Sequence, residues 1–270
     1  LKQFMKTNKF KFIRRKGLTL DDVAGIQDIR ERLDEIVSYS RHNAIYEKLN
    51  AETQRGWLFT GPPGVGKTLT AEAISAEAGI PFLKVSGSSF VEMFVGLGAK
   101  RIRDMKKQAL KMARKTGGPV IIFIDEVDAI AGARGGSNSH SEREQTLNEL
   151  LVAANGSDTP DPIIWIAATN RHDILDPAFL RRFSEQIQFA LPDISQRKEL
   201  LRIAVSKKEI TIDDETLDEV SKSTSGFSGD DIAKLVNGAC LEAGRNQRET
   251  VIPDDFTDAL DKKLMGIERK

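Results

Sequence analysis

A single cysteine, Cys240, leaves the chain without a partner for an internal disulfide and suits a reducing compartment. Its flanks, Gly238, Ala239 and Leu241, read as a helix position expected to be buried rather than as a reactive thiol. Histidine is scarce as well. His42, His140 and His172 are the three in 270 residues, and none belongs to a His-Glu-x-x-His pair, which excludes zinc-protease chemistry of that type from this stretch. There is no internal repeat and no metal-ligand cluster. Apolar runs are short: none approaches the roughly 20 residues needed to cross a bilayer, and no signal-peptide pattern is present, so the stretch is expected to be soluble. Net charge is also lacking. Forty Lys and Arg against forty Asp and Glu give no electrostatic case for nucleic acid as a partner.

What is present begins with Gly61-Pro62-Pro63-Gly64-Val65-Gly66-Lys67-Thr68, which fits G-x-x-x-x-G-K-[ST] at every fixed position. It follows the apolar run Trp57-Leu58-Phe59 and precedes a helix-like stretch that starts at Leu69. Glycines at 61, 64 and 66 let successive N–H groups turn inward around a polyphosphate at a helix N-terminus. Lys67 is placed to meet the β- and γ-phosphates, and Thr68 to offer its hydroxyl to Mg²⁺. The sequence therefore predicts a nucleoside triphosphate site, with Leu69 closing the set of nucleotide-binding candidates.

Two further apolar runs end in polar groups. Val120 to Ile124 leads into Asp125-Glu126, and Ile163 to Ala168 leads into Thr169-Asn170. A continuous apolar run reads as a strand buried on both faces, which delivers its last residues to a site. Asp125 is a candidate for the Mg²⁺ shell and Glu126 for polarising the attacking water. Asn170 alone reads as a turn residue; beside the other strand ends it reads as a γ-phosphate sensor.

Alternating patterns set the fold class. Helix-like 26–49, strand 57–60, helix 67–78, strand 82–85, helix 99–115, strand 120–124, helix 141–155, strand 163–168 and strand 185–190 predict an α/β P-loop NTPase, a parallel sheet flanked by helices. After Pro192 the strand signal stops. Helices are predicted to start at Ser195, Asp214, Ser228 and Pro253, a small helical lid. The expected division is a basic linker at 1–20, a large nucleotide-binding subdomain at 21–192 and the lid at 193–270. The linker carries Lys2, Lys6, Lys9, Lys11, Arg14, Arg15 and Lys16 with no acid before Asp21, and either a solvated tether or a stretch held near anionic lipid fits it. Its Phe4, Phe10, Phe12 and Ile13 also offer something to bury. Residues 132–141, rich in glycine and serine, are expected to be a mobile loop.

These motifs resemble the AAA ATPase module of FtsH-type membrane metalloproteases. The phosphate loop, Ile124 to Asp128, Ser141 to Asn148, Ala168 to Arg171, Gly226 to Asp231 and Phe90-Val91-Glu92-Met93-Phe94-Val95-Gly96 carry the likeness, which runs from about Leu20 to Met265. The resemblance implies ATP and Mg²⁺ as ligands, with Val23 and Ala24 near the adenine, Asn170 as sensor and Gly229-Asp230 closing over nucleotide. It also implies that Phe94, with Val95 and Gly96, forms a pore loop gripping unfolded or membrane polypeptide. Phe94 read by itself is a core residue, but Gly96 and Gly98 beside it point to a mobile loop rather than a packed element. A homo- or hetero-hexamer follows from the same likeness, as does tethering of a longer protein to a bacterial inner membrane or an organelle membrane, with membrane segments expected upstream of Leu1.

Three departures stand out. The family usually reads Leu-Arg-Pro-Gly-Arg-Phe where this chain has Leu180-Arg181-Arg182-Phe183; Asn155-Gly156-Ser157 stands for Asp-Gly-Phe, and Ala204 for a histidine near the adenine. The resemblance makes Arg181 and Arg182 catalytic in trans, on a neighbour's γ-phosphate. The expected function is thus an ATP-hydrolysing ring motor. The alternatives are an ATP-binding structural subunit of a hetero-oligomeric motor or an inactive-protease homologue of the FtsH type, either with little hydrolysis of its own, or a small-molecule kinase, for which no second substrate pocket is evident.

Overall fold

A computed structural model describes residues 10–49, 56–91, 97–132, 140–155 and 161–268. The chain divides into two compact units, one of Leu1–Asp22, Ile29–Gly61 and Lys67–Gln188, the other of Val23–Asp28, Pro62–Gly66 and Phe189–Lys270.

The first unit is built on strands β1 (Gly56–Thr60), β2 (Phe82–Ser86), β3 (Val120–Asp125), β4 (Ile163–Thr169) and β5 (Glu185–Gln188). Their order is β2-β3-β4-β1-β5 and every pairing is parallel. Helix α1 (Arg30–Lys48) precedes β1; parallel neighbours need long crossovers, which α2 (Lys67–Ala78), α3 (Leu97–Thr116), the one-turn α4 (Asp128–Ala131), α5 (His140–Asn155) and α6 (Pro177–Arg182) supply. Leu83, Val85, Ile122, Ile124 and Trp165 share one core with Ile102, Met105, Leu147 and Leu150 of α3 and α5. The intervening Phe82, Ile121, Phe123, Ile164 and Ile166 are buried too. Both faces of the central strands are therefore covered, which is why β3 and β4 read as unbroken apolar runs.

The expected linker is only partly a linker. Residues 1–9 lie outside the described residues. From Phe10 on the segment is packed: the Ile13 N–H donates to the Phe82 carbonyl at 2.8 Å and the Phe82 N–H returns a bond of 2.9 Å. Phe10 and Phe12 rest on the core, and Arg15 pairs with Glu72 at 3.0 Å. Apolar residues among the lysines have thus recruited the segment to cover the open edge of β2, where unpaired backbone groups would otherwise face outward.

Strand β5 is shorter than expected. Its ladder with β1 ends at Thr60↔Gln188, since β1 leaves the sheet there for the phosphate loop and offers no further partner. Helix α6 was not expected; Asp176 caps it through the Ala178 N–H at 2.7 Å and Pro177 fills its first turn.

The second unit carries α7 (Ile194–Ser206), α8 (Asp214–Ser223), α9 (Gly229–Arg245) and α10 (Pro253–Glu268) around Leu201, Leu217, Ile232, Leu235, Val236, Ala239 and Phe256. Each buried aliphatic contributes about 1.5–3 kcal/mol. The helices open within a residue of the predicted starts, Ser228 serving as N-cap of α9 in a reciprocal capping box with Asp231. Val23–Asp28 and Pro62–Gly66 fall in this unit and not with the sheet, held by bonds such as Gln27 Nε2 to Glu199 at 3.3 Å. Cys240 is half-buried, not buried. The inward stripe of α9 runs through Ile232, Leu235, Val236, Ala239 and Ala243, and position 240 lies at its margin.

Candidate functional site

Between β1 and α2 the chain must reverse without a side chain in the way. Gly61, Gly64 and Gly66 have φ of 136°, 77° and 92°, the region open to glycine at little cost. Gly64 is the most constrained. A Cβ there would come within 2.6 Å of Ser228 Oγ and 2.9 Å of Asp230 Cβ, and its carbonyl accepts the Asp230 N–H at 3.2 Å. Within the second unit, then, Gly64 lies against the start of α9 at Ser228, Gly229 and Asp230, and the predicted loop residues Pro62, Pro63, Val65 and Gly66 belong to the same unit. Val23 is buried in that unit and Ala24 half-buried.

In the first unit, Lys67 and Thr68 open α2. Lys67 is 7% exposed, and its Nζ donates to the Gly61 carbonyl and to Asn170 Oδ1, each at 2.7 Å. Burial pushes the ammonium pKa below its usual value, with Asp125 pulling the other way. Thr68 Oγ1 donates to Asp125 Oδ2 at 3.0 Å, and Lys84 of β2 reaches the same oxygen at 3.5 Å. An all-oxygen pair of hydroxyl and carboxylate suits a hard cation such as Mg²⁺. Among the described residues no group of three or more His, Cys, Asp or Glu could hold a metal, so a cation here would draw its other ligands from water and phosphate. Leu69 is exposed on the first turn.

Glu126 follows with φ of 51°, rare for a side-chain-bearing residue, and accepts from Ser86 Oγ at 3.3 Å. Gly87 makes this approach feasible, for a Cβ there would lie 2.4 Å from the Glu126 carbonyl. Ser86, Lys84, Asp128 and Thr169 are neighbours that sequence reasoning missed. One signal was available: all but Asp128 lie near the C-terminal end of a parallel strand, where α/β sheets place their ligands.

Arg181 and Arg182 are exposed on the last turn of α6, and no hydrogen bond or ion pair among the described residues joins them to this cluster. Phe94, Val95 and Gly96 lie outside the described residues, as do 133–139 of the expected mobile loop and Gly156-Ser157.

Residues 57–191 match the family model "ATPase family associated with various cellular activities (AAA)", and 214–258 match "AAA+ lid domain". The chain is 48% identical over 258 residues to "ATP-dependent zinc metalloprotease FtsH" of Aquifex aeolicus (strain VF5), a match covering 94% of this chain and 40% of the relative. A protein of the same name from Buchnera aphidicola subsp. Baizongia pistaciae (strain Bp) is 47% identical over 257 residues, covering 94% of this chain and 41% of that one. The chain thus spans about two fifths of the length of the curated relatives it matches.

Proposed function

This chain belongs to the AAA family of ATPases as a module of the FtsH type, and on that premise we propose that it binds ATP with Mg²⁺ and hydrolyses it to drive movement of polypeptide. The observation that carries the reading is the meeting of three chain segments in the first unit: Lys67 on Asn170 at 2.7 Å and Thr68 on Asp125 at 3.0 Å. In the proposed complex Lys67 exchanges its present acceptors for phosphate oxygens, and the loop N–H groups from Gly61 to Gly66 surround the same phosphates. A bound Mg²⁺ would supply charge neutralisation on the β- and γ-oxygens, held by Thr68 and Asp125. Glu126 takes the position from which a carboxylate accepts a proton from water, and Asn170 orients water and γ-phosphate together. Val23, Ala24, Leu69, Gly229 and Asp230 complete nucleotide binding.

Arg181 and Arg182, exposed and without a partner in the cluster, act on a neighbouring subunit in this reading, within a homo- or hetero-hexamer tethered to a membrane. Phe94, Val95 and Gly96 contact the polypeptide. Residues 21–192 serve as the nucleotide-binding subdomain and 193–270 as the lid.

The test is Glu126→Gln, which keeps shape and removes basicity. ATP affinity measured by calorimetry should be retained while turnover falls about 100-fold or more. An unchanged rate would remove Glu126 from the mechanism.

A further inference from the structure

Asn170 is exposed, so packing does not fix its position. What surrounds its backbone is a short chain of hydrogen bonds. Thr169, 1% exposed, donates its hydroxyl to Asp128 Oδ1 at 2.7 Å, and Thr169 Oγ1 in turn accepts the Arg171 N–H at 2.9 Å. The second bond closes a small ring over Asn170, since a side chain bonding the N–H two residues on restricts the dihedrals between them. The first bond matters to the second. With its proton committed to Asp128, the Thr169 oxygen has a fixed orientation and presents lone pairs to Arg171. Asp128 is itself held at the start of α4, its carbonyl accepting Arg143 Nη2 at 2.5 Å and the Gly132 N–H at 3.2 Å. Beside it the Val127 N–H donates to the Ala168 carbonyl at 3.0 Å, so the ends of β3 and β4 are joined twice.

We propose that Asp128 and Thr169 are a positioning pair that holds Asn170 in register with Asp125 and Glu126, an inference that rests on the ATPase reading above. Lys67 restrains Asn170 only while its ammonium faces the amide. Once Lys67 turns to phosphate, the ring over residue 170 and its anchor on Asp128 keep the amide in place. Reaction rates are steep in such placement, whereas affinity is spread over many loop contacts, so loss of the pair slows turnover and spares binding.

The experiment compares Thr169→Val, Thr169→Ser, Asp128→Ala and the double variant Thr169→Val/Asp128→Ala in the full chain. Valine preserves volume and removes the hydroxyl; serine restores it. We expect kcat to fall about 10-fold or more in the valine and alanine variants, with the ATP dissociation constant changed less than about 3-fold. Serine should recover the rate, and the double variant should be no slower than the worse single. Hydrogen exchange at the Arg171 amide should accelerate in the valine and alanine variants and not in the serine one. Wild-type kcat in Thr169→Val, or equal loss with serine and valine, overturns the proposal. If valine prevents folding, Asp128→Ala decides by the same two readouts. A wild-type chain that neither binds nor hydrolyses ATP would fail the ATPase reading instead, and Arg171 exchange would still judge the pair.

Discussion

Lys67 is a buried cation that donates to a backbone carbonyl and to an amide oxygen and also feels the Asp125 carboxylate. Charged donors gain more from anionic acceptors, so the ammonium is poised to move to phosphate once one arrives. Replacing it with alanine removes a desolvated charge, and removing such a charge costs little stability when its partners can find water. Lys67→Ala should therefore leave the melting temperature nearly unchanged and weaken ATP binding about 100-fold, the equivalent of about 2.7 kcal/mol. Calorimetry that finds undiminished affinity would sink the phosphate-loop assignment. This residue was legible in the sequence because its meaning depends only on seven neighbours along the chain. Thr169 and Asp128 were not. They are separated by 41 positions, and their bond exists only because β3 and β4 are adjacent and parallel. The contact of Ser86 with Glu126, across 40 positions, was hidden for the same reason.

Elements were easier to foresee where burial is two-sided or a cap is local. The unbroken runs of β3 and β4, and the cap Ser228, each announce themselves within a few residues. The end of β5 could not be found that way, since it depends on where β1 leaves the sheet. The packing of Phe10, Phe12 and Ile13 onto β2 likewise needs an edge that no local pattern reveals. Helix α9 offers a direct test of how a cap contributes. Burial by itself would raise the Asp231 pKa, but hydrogen bonds from Lys263 and Ser228 outweigh it and hold the carboxyl at about 2, below its ordinary 3.8. A pKa lower in the folded than in the unfolded chain means that the unfolded chain takes the proton first. Stability from this group is thus complete above about 3.8 and is lost as pH falls towards about 2. Asp231→Asn retains an acceptor for the Ser228 N–H and loses the charge paired with Lys263. It should be less stable than wild type at neutral pH, with the difference closing across that acid range in denaturant titrations followed by circular dichroism. A difference independent of pH would show that shape, not charge, makes the cap.

Whole-molecule behaviour turns on the arginines at the end of α6. Phe179 and Phe183 are buried and stack at 4.3 Å between ring centroids, which anchors the segment while Arg181 and Arg182 are exposed. Exposed neighbouring guanidiniums repel one another and gain nothing from that placement in an isolated chain. A neighbour's phosphate would give them an acceptor. If they act in trans, an isolated protomer holds only part of each site, and hydrolysis per chain must rise steeply with protein concentration as rings assemble. Arg182→Ala chains would still bind ATP through their own loop and would enter the same rings, so an excess of them should suppress wild-type turnover beyond simple dilution. A structural subunit of a mixed motor behaves differently: turnover stays low at every concentration, with ATP bound, until another chain supplies the arginines. The shortened segment makes this comparison decisive, because Leu180-Arg181-Arg182-Phe183 leaves no intervening residues to extend the guanidiniums outward. We expect the active ring, since Lys67, Thr68, Asp125, Glu126 and Asn170 are all present in cis. A rate that is independent of concentration and indifferent to added Arg182→Ala chains would overturn the trans-arginine mechanism while leaving nucleotide binding intact.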